Sequence, residues 1–356
     1  MTREHITDGP TGELSTARVR WAGRHDGDGP AHERWHQRVR IVEPGSGPGE
    51  GGELGEHGEH VALLGFASDE GVRRNGGRVG ASEGPTALRA ALGPLAVLQD
   101  RTPALVDYGD VTTIGTDLEA AATRMGAAVS RALGAPGNRL TVVLGGGHET
   151  AWPSYLGLTE HLDEVGAARP TWGVLNLDAH YDLREASVPT SGTPFLQMAE
   201  AERTAGRDLH YAVIGISEAS NTTVLADKAR DLGVQVLTDL ECAAQGAEGI
   251  TAFIERFTRP LDLLYLTIDL DVLPAHHAPG VSAPAAFGVD YALIIAAVRA
   301  AAASGKLRLL DVVELCPELD IDQRTAKAAA RLVWEAVRTR IEASVGPSPS
   351  TETAPS

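Results

Sequence analysis

Trp172-Gly173-Val174-Leu175-Asn176-Leu177-Asp178-Ala179-His180-Tyr181-Asp182 is an apolar run that ends in three potential metal ligands at every second position. Successive side chains of an extended chain point to opposite faces, so Asp178, His180 and Asp182 share a face and converge. The run 172–177 has the length and composition of a buried strand, which puts the triplet at that strand's carboxyl end. Two further segments repeat the pattern. Thr141–Leu144 leads into Gly145-Gly146-Gly147-His148-Glu149, and Leu263–Ile268 leads into Asp269-Leu270-Asp271. Three strand ends thus offer two imidazoles and four carboxylates: His148, Asp178, His180, Asp182, Asp269 and Asp271.

Asp269-Leu270-Asp271 alone reads equally as a turn or capping pair. Three such motifs after three apolar runs do not. Clustered carboxylates raise one another's pKa unless positive charge compensates. Two divalent cations would offset the four negative charges. An oxygen-rich set without thiolate selects a hard ion, Mn²⁺ before Zn²⁺ or Fe²⁺. Paired ions in such sites lie roughly 3.5–4 Å apart and activate water at neutral pH. The triple glycine at 145–147 is not a nucleotide loop, because its spacing is neither GxGxxG nor GxxxxGK[ST].

The chain has 356 residues and a formal net charge of −17, which argues against nucleic acid or an anionic membrane surface as a partner. An anionic substrate would need local positive groups. Cys242 and Cys316 are the only cysteines and form no CxxC pattern, so a disulfide framework is not expected and a cytoplasmic setting is. No apolar run approaches a transmembrane length. Residues 1–16 and 343–356 are polar and read as disordered tails. Residues 17–60 form an N-terminal segment whose acidic, Gly-rich stretch 43–60 reads as a solvated loop, with His57 and His60 as weak candidates for adventitious metal.

From Val61 onward short apolar runs alternate with Ala- and Leu-rich helical stretches. Strands are expected at Val61–Phe66, Leu140–Leu144, Trp172–Leu177, Tyr211–Ile216, Val234–Leu237, Leu261–Ile268 and Leu307–Val313. Helices are expected at Gly84–Leu92, Leu118–Leu133, Trp152–Leu162, Thr222–Leu232, Ala247–Phe257, Val289–Ala303 and Thr325–Ala343. The alternation predicts one α/β domain over 61–342, three layers deep (α/β/α), with a mostly parallel central sheet. Function then belongs outside the carboxyl ends of the strands, where the ligand motifs lie.

With LGGGHE at 144–149, DAHYD at 178–182, SGTPF at 191–195, DLDVLPAHHAPGVSAP at 269–284 and VELCPELD at 313–320, the chain resembles the ureohydrolase (arginase/agmatinase) family from about Val61 to the C-terminal helix. Stretches at 21–27, 33–37 and 65–81 make it most similar to the formimidoylglutamase branch. The resemblance implies an arginase-like fold and two Mn²⁺ ions per subunit on the six residues named above, with Asp178 and Asp269 bridging. It also implies a closed homo-oligomer, a small-molecule substrate, and Glu314 as the group that grips an amidine or guanidine. The alternative for Glu314 is a plain strand-end carboxylate before the Pro317 turn, but its place on a fourth converging strand favours the functional reading. Arginases carry a histidine four residues after the loop serine, where this chain has Phe195. Agmatinases carry one just before Gly-Thr, where it has Ser191. The serine fits the formimidoylglutamase branch.

The expected reaction is hydrolysis of N-formimidoyl-L-glutamate to L-glutamate and formamide, a step of histidine degradation. With no loop histidine, Asp182 is the candidate to carry the water's proton to the leaving nitrogen. The substrate's two carboxylates call for donors. Arg73, Arg74 and Arg78 in the loop after the first strand are candidates, since guanidinium forks match carboxylates. They read equally as surface charge. Ser191, Thr193 and Asn221 are weaker candidates, more often turn or cap residues. The competing readings are a guanidino- or amidino-acid hydrolase, such as a guanidinobutyrase, and a metal-binding relative without turnover.

Overall fold

Along Leu140-Thr141-Val142-Val143-Leu144, residues 140, 142 and 144 bury in one apolar cluster, while Val143 buries in a second on the opposite side. The same alternation recurs at 264, 266 and 268 against 263 and 265. Strands with two apolar faces must be covered on both. In the computed structural model, which describes residues 14–16, 19–42, 58–97, 103–165 and 169–345, they are.

The strands are β1 (Val39–Ile41), β2 (His60–Ala67), β3 (Ala104–Thr112), β4 (Asn138–Leu144), β5 (Trp172–Leu177), β6 (Tyr211–Ile216), β7 (Gln235–Thr238), β8 (Leu263–Asp269) and β9 (Leu307–Val313). They form one nine-stranded sheet in the order β1-β3-β2-β4-β9-β8-β5-β6-β7, with every pairing parallel. The helices are α1 (Trp35–Arg38), α2 (Glu70–Arg74), α3 (Gly84–Leu92), α4 (Leu118–Gly134), α5 (Ala151–Glu164), α6 (Pro194–Thr204), α7 (Thr223–Asp231), α8 (Asp239–Thr258), α9 (Tyr291–Ala303) and α10 (Arg324–Val345). One face is covered by α3, α8, α9 and α10, the other by α4, α5, α6 and α7. The result is the expected three-layer α/β/α arrangement.

The structure departs from the sequence reading at the edges. The sheet begins in the N-terminal segment set apart at 17–60, because β1 pairs with β3. Three residues centred on Arg40 carry no strand signal. Ser15, assigned to the tail, exchanges two 2.8 Å backbone hydrogen bonds with Asp110. At the other end α10 runs to Val345. The stretch 43–57, with His57, lies outside the described residues, whereas His60 is buried as the first residue of β2.

Strand β3 has no counterpart among the expected strands because Asp107 and Asp110 interrupt its apolar pattern. Both carboxylates are buried, and the fully buried Arg89 of α3 bonds Asp107 at 2.7 and 2.9 Å and Asp110 at 2.6 Å. Trp21 adds a 2.7 Å indole hydrogen bond to Asp107. Helix α8 starts earlier than expected. Thr238 and Glu241 form a capping box at its start, and Gly246, at φ 64°, kinks it where the sequence reading placed the first turn.

Candidate metal centre

Strands β4, β9, β8 and β5 are consecutive neighbours in the sheet. Their carboxyl ends therefore deliver His148, Glu314, the Asp269–Asp271 pair and the 178–182 triplet to one place. The crossing from β4 is tight. A Cβ on Gly146 would stand 1.8 Å from the Ser68 carbonyl oxygen, so only glycine lets this loop lie against the end of β2. That contact, with Gly147 N–H donating to Ser68 O at 2.9 Å, fixes where His148 begins.

His148 Nδ1 lies 3.2 Å from Asp178 Oδ2, 3.0 Å from Asp182 Oδ2 and 3.1 Å from Asp269 Oδ2. It is buried and makes no hydrogen bond with any of them. His180 Nδ1 lies 2.9 Å from Asp271 Oδ2 and 3.5 Å from Asp178 Oδ1. Two three-ligand groups follow: His148, Asp178 and Asp269, and Asp178, His180 and Asp271. Asp178 belongs to both, one oxygen facing each. Asp269 faces the His148 side, and its Oδ1 accepts the Asp271 N–H at 2.8 Å. Ions with bonds of about 2.1 Å in octahedral geometry separate adjacent ligand atoms by about 3 Å, so these spacings suit a hard divalent cation.

Charge points the same way. Burial disfavours a charged His148, but Asp178, Asp182 and Asp269 outweigh it and hold the imidazole well above its ordinary pKa. Asp271, opposed by burial, pushes His180 up to about 12. Asp182, Asp269 and Asp271 are raised, chiefly by burial and then by the neighbouring aspartates, against the lowering pull of His148 and His180. At Asp178 burial is overcome by His148 and His180, and its carboxyl is held below the usual range. The cluster is short of positive charge, and protons and divalent ions compete to supply it.

The surroundings set the ligand orientations. His148 Nε2 lies 3.1 Å from Thr267 Oγ1; a proton shared there leaves Nδ1 free to ligate. Asp178 Oδ2 accepts from Asn176 Nδ2 at 2.9 Å and Oδ1 from His180 N–H at 2.6 Å. Asn221 holds the ligand loop: its amide donates to Ala179 O at 2.8 Å and its oxygen accepts from Tyr181 N–H at 3.2 Å. Phe195 is fully buried, edge-on to His148 at 5.4 Å and stacked on Tyr211 at 4.5 Å. The residue standing where a loop histidine would be in arginases is thus packing under the ligands.

Glu314 leaves β9 at φ 69° and Asp182 stands at φ 47°, both in the left-handed region. Glu314 is buried, and its Oε1 accepts the His148 N–H at 2.8 Å. Burial, with the nearby Glu149 carboxylate, pushes it up to about 8.

The expected carboxylate-binding arginines are occupied elsewhere. Arg73 forks onto Glu70 at 2.6 and 2.7 Å. Arg74 bonds Glu70, Glu119 and the carbonyls of Thr116 and Pro189. Arg78 ties its loop to Ser282 O at 2.9 Å and Val281 O at 2.7 Å. All three brace the rim, their donors drawn off by nearby acceptors that the sequence spacing does not reveal. Thr193 is likewise turned inward, onto Thr190 O and Gln197. Ser191 accepts from Asn75 Nδ2 at 3.2 Å.

Arg184, two residues beyond Asp182, was not among the arginines singled out from the sequence. Its backbone N–H donates to Gly192 O at 2.9 Å, and its side chain runs along Gly192, where a Cβ would stand 2.8 Å from Arg184 Cδ. It is exposed, and among the described residues its guanidinium has no hydrogen-bond or ion-pair partner.

The family model described as the Arginase family matches residues 59–338. A curated relative, formimidoylglutamase of Rhodococcus opacus (strain B4), is 48% identical over 321 residues, covering 90% of this chain and 95% of its own. Among solved structures, formimidoylglutamase from Bacillus subtilis subsp. subtilis str. 168 shares the fold at TM-score 0.76 and 23% identity, covering 91% of this chain and 96% of its own. Trypanosoma cruzi formiminoglutamase with Mn²⁺ matches at TM-score 0.69 and 27% identity, covering 80% and 94%. Four adjacent strand ends with converging histidine and carboxylate side chains, and a family match over most of the chain, make this protein a member of the arginase family.

Proposed function

We infer that this chain is a hydrolase of linear amidines that cleaves N-formimidoyl-L-glutamate with water to L-glutamate and formamide. The carrying observation is the 48% identity to a formimidoylglutamase over 90% of the chain. The two ligand groups sharing Asp178 support a pair of Mn²⁺ ions per subunit. Bound there, such ions supply Lewis acidity and an activated water.

The remaining chemistry falls to side chains. Glu314, beside the ligand cluster, holds the cationic formimidoyl nitrogens by charge-assisted hydrogen bonds. Its anchoring to the His148 N–H fixes one oxygen and leaves the other for substrate. Asp182, with one oxygen turned toward His148, takes up the proton released from water and passes it to the glutamate nitrogen, which leaves as an amine. Arg184, with Asn75 and Ser191 beside it, receives a glutamate carboxylate at the rim. No described helix is long and apolar enough to cross a membrane. A cytoplasmic homo-oligomer acting in histidine degradation completes the reading.

The test is turnover by the Mn²⁺-loaded protein, assayed for formamide and glutamate. Formamide release from N-formimidoyl-L-glutamate supports the reading. Urea release from a guanidino acid, with no formamide, moves the protein to another branch of the family.

A further inference from the structure

A cavity of about 170 Å³ lies on the α4–α5 side of the sheet, lined by neither Glu314 nor any of the six ligand-type residues. Leu118, Ala122, Trp152 and Leu156 give it apolar walls, while Thr123 and Gln197 add polar atoms. Two more lining residues, Glu119 and Pro189, are bridged by Arg74, which bonds the Glu119 carboxylate and the Pro189 carbonyl.

Glu149 also lines this cavity. It is 3% exposed, and its Oε1 accepts from Ser68 Oγ and Gly71 N–H, each at 2.9 Å. Its Oε2 is buried without a hydrogen-bond partner. The carboxylate is admitted by two glycines: a Cβ on Gly147 would stand 2.2 Å from Oε2, and one on Gly71 2.6 Å. A buried carboxylate oxygen left unpaired is costly unless a donor or cation meets it. A void of about 150 Å³ is enough for a benzene-sized guest. An aromatic wall beside a carboxylate favours a cation with a hydrocarbon body over a neutral molecule of the same shape.

We propose that this cavity is a second ligand site for a small organic monocation, a short alkyl guanidine, amidine or amine, whose charged head pairs with Glu149 and whose hydrocarbon part lies against Trp152 and Leu156. Its lining includes none of the candidate ligands, although Glu149 follows His148 and stands near enough to Glu314 to raise its pKa, and the proposal does not depend on the identity of the substrate.

Ethylguanidinium serves as the probe, titrated into the full-length protein by calorimetry, with ethylurea as the neutral match. The cation is expected to bind with one site surviving in Glu314→Gln and weakened at least about tenfold in Glu149→Gln. Ala122→Phe, which fills the cavity, should abolish that site. Thr123→Phe, at an exposed position on the same wall, should do so without disturbing the core if Ala122→Phe fails to fold. Equal binding of ethylurea, undiminished binding in Thr123→Phe, loss of all binding in Glu314→Gln, or no binding at all would overturn the proposal.

Discussion

Asp182 and Glu314, the two residues given roles in proton transfer and substrate holding, are also the two non-glycine residues at the site with left-handed backbone. Such a conformation costs of order 1–2 kcal/mol for a side chain with a Cβ. Glu314 adds a buried carboxylate pushed up to about 8. Glu314→Gly should therefore abolish turnover while leaving thermal stability unchanged or higher by up to about 1 kcal/mol; a clear drop in melting temperature would show that Glu314 holds the fold instead. At the ligands, Asp178→Ala should remove both metal equivalents, since only Asp178 belongs to both groups, and His148→Ala mainly one. Metal analysis of the purified variants reads this directly. Arg184→Ala should raise KM roughly ten- to a hundredfold with little change in kcat or metal content, and Arg73→Ala should not. The clustering of the six candidate ligands was legible because alternate spacing at strand ends is a property of the sequence itself. Arg184 and Thr267 were not, because what marks them is a neighbour in space: Gly192 for one, His148 for the other.

Elements with unbroken apolar runs, such as β4, β5 and β9, could be read to within two residues, while β3 could not. Its buried charges make sense only with Arg89, which approaches from α3. Breaking that set leaves two buried aspartates uncompensated, so Arg89→Ala should destabilise the fold by about 3–5 kcal/mol, measured by denaturant unfolding. A second polar staple joins α5 to α6. Burial opposes ionisation of Glu202, but Arg207, at 2.6 and 3.0 Å, and the Tyr155 hydroxyl, at 2.8 Å, outweigh it and lower its pKa. A carboxylate with a lowered folded pKa stabilises above its unfolded value, about 4.3, and that contribution disappears as pH falls through the folded value. Glu202→Gln should thus be less stable than the parent at neutral pH and show a flatter decline in acid. Parallel pH–melting curves for the two proteins would refute the staple.

For the whole molecule, the fold class followed from alternating strands and helices, but the strand order did not, since nothing local says where β9 inserts. Metal should stabilise the entire domain, because its ligands come from three strands. With free ion at a hundredfold over its Kd, the gain is about 2.7 kcal/mol. Chelation should lower the melting temperature accordingly, and more readily in acid, since the imidazoles that must ligate, His180 pushed up to about 12 among them, take up protons instead. Equal melting curves with and without chelator would show that the site does not bear on stability. The strand order carries one more consequence. On one side stand β1, β3, β2 and β4, all from before residue 145; on the other stand β8, β5, β6 and β7, all from 172–269, and β9 alone joins them. As the polypeptide leaves the ribosome, the sheet exists first as two unconnected halves, with His148 following the last strand of the first and every aspartate ligand on the second. The last strand to emerge is the wedge that brings them into register, so a nascent chain ending before residue 307 has all six candidate ligands but no strand to carry His148 to the five that β5 and β8 bring together.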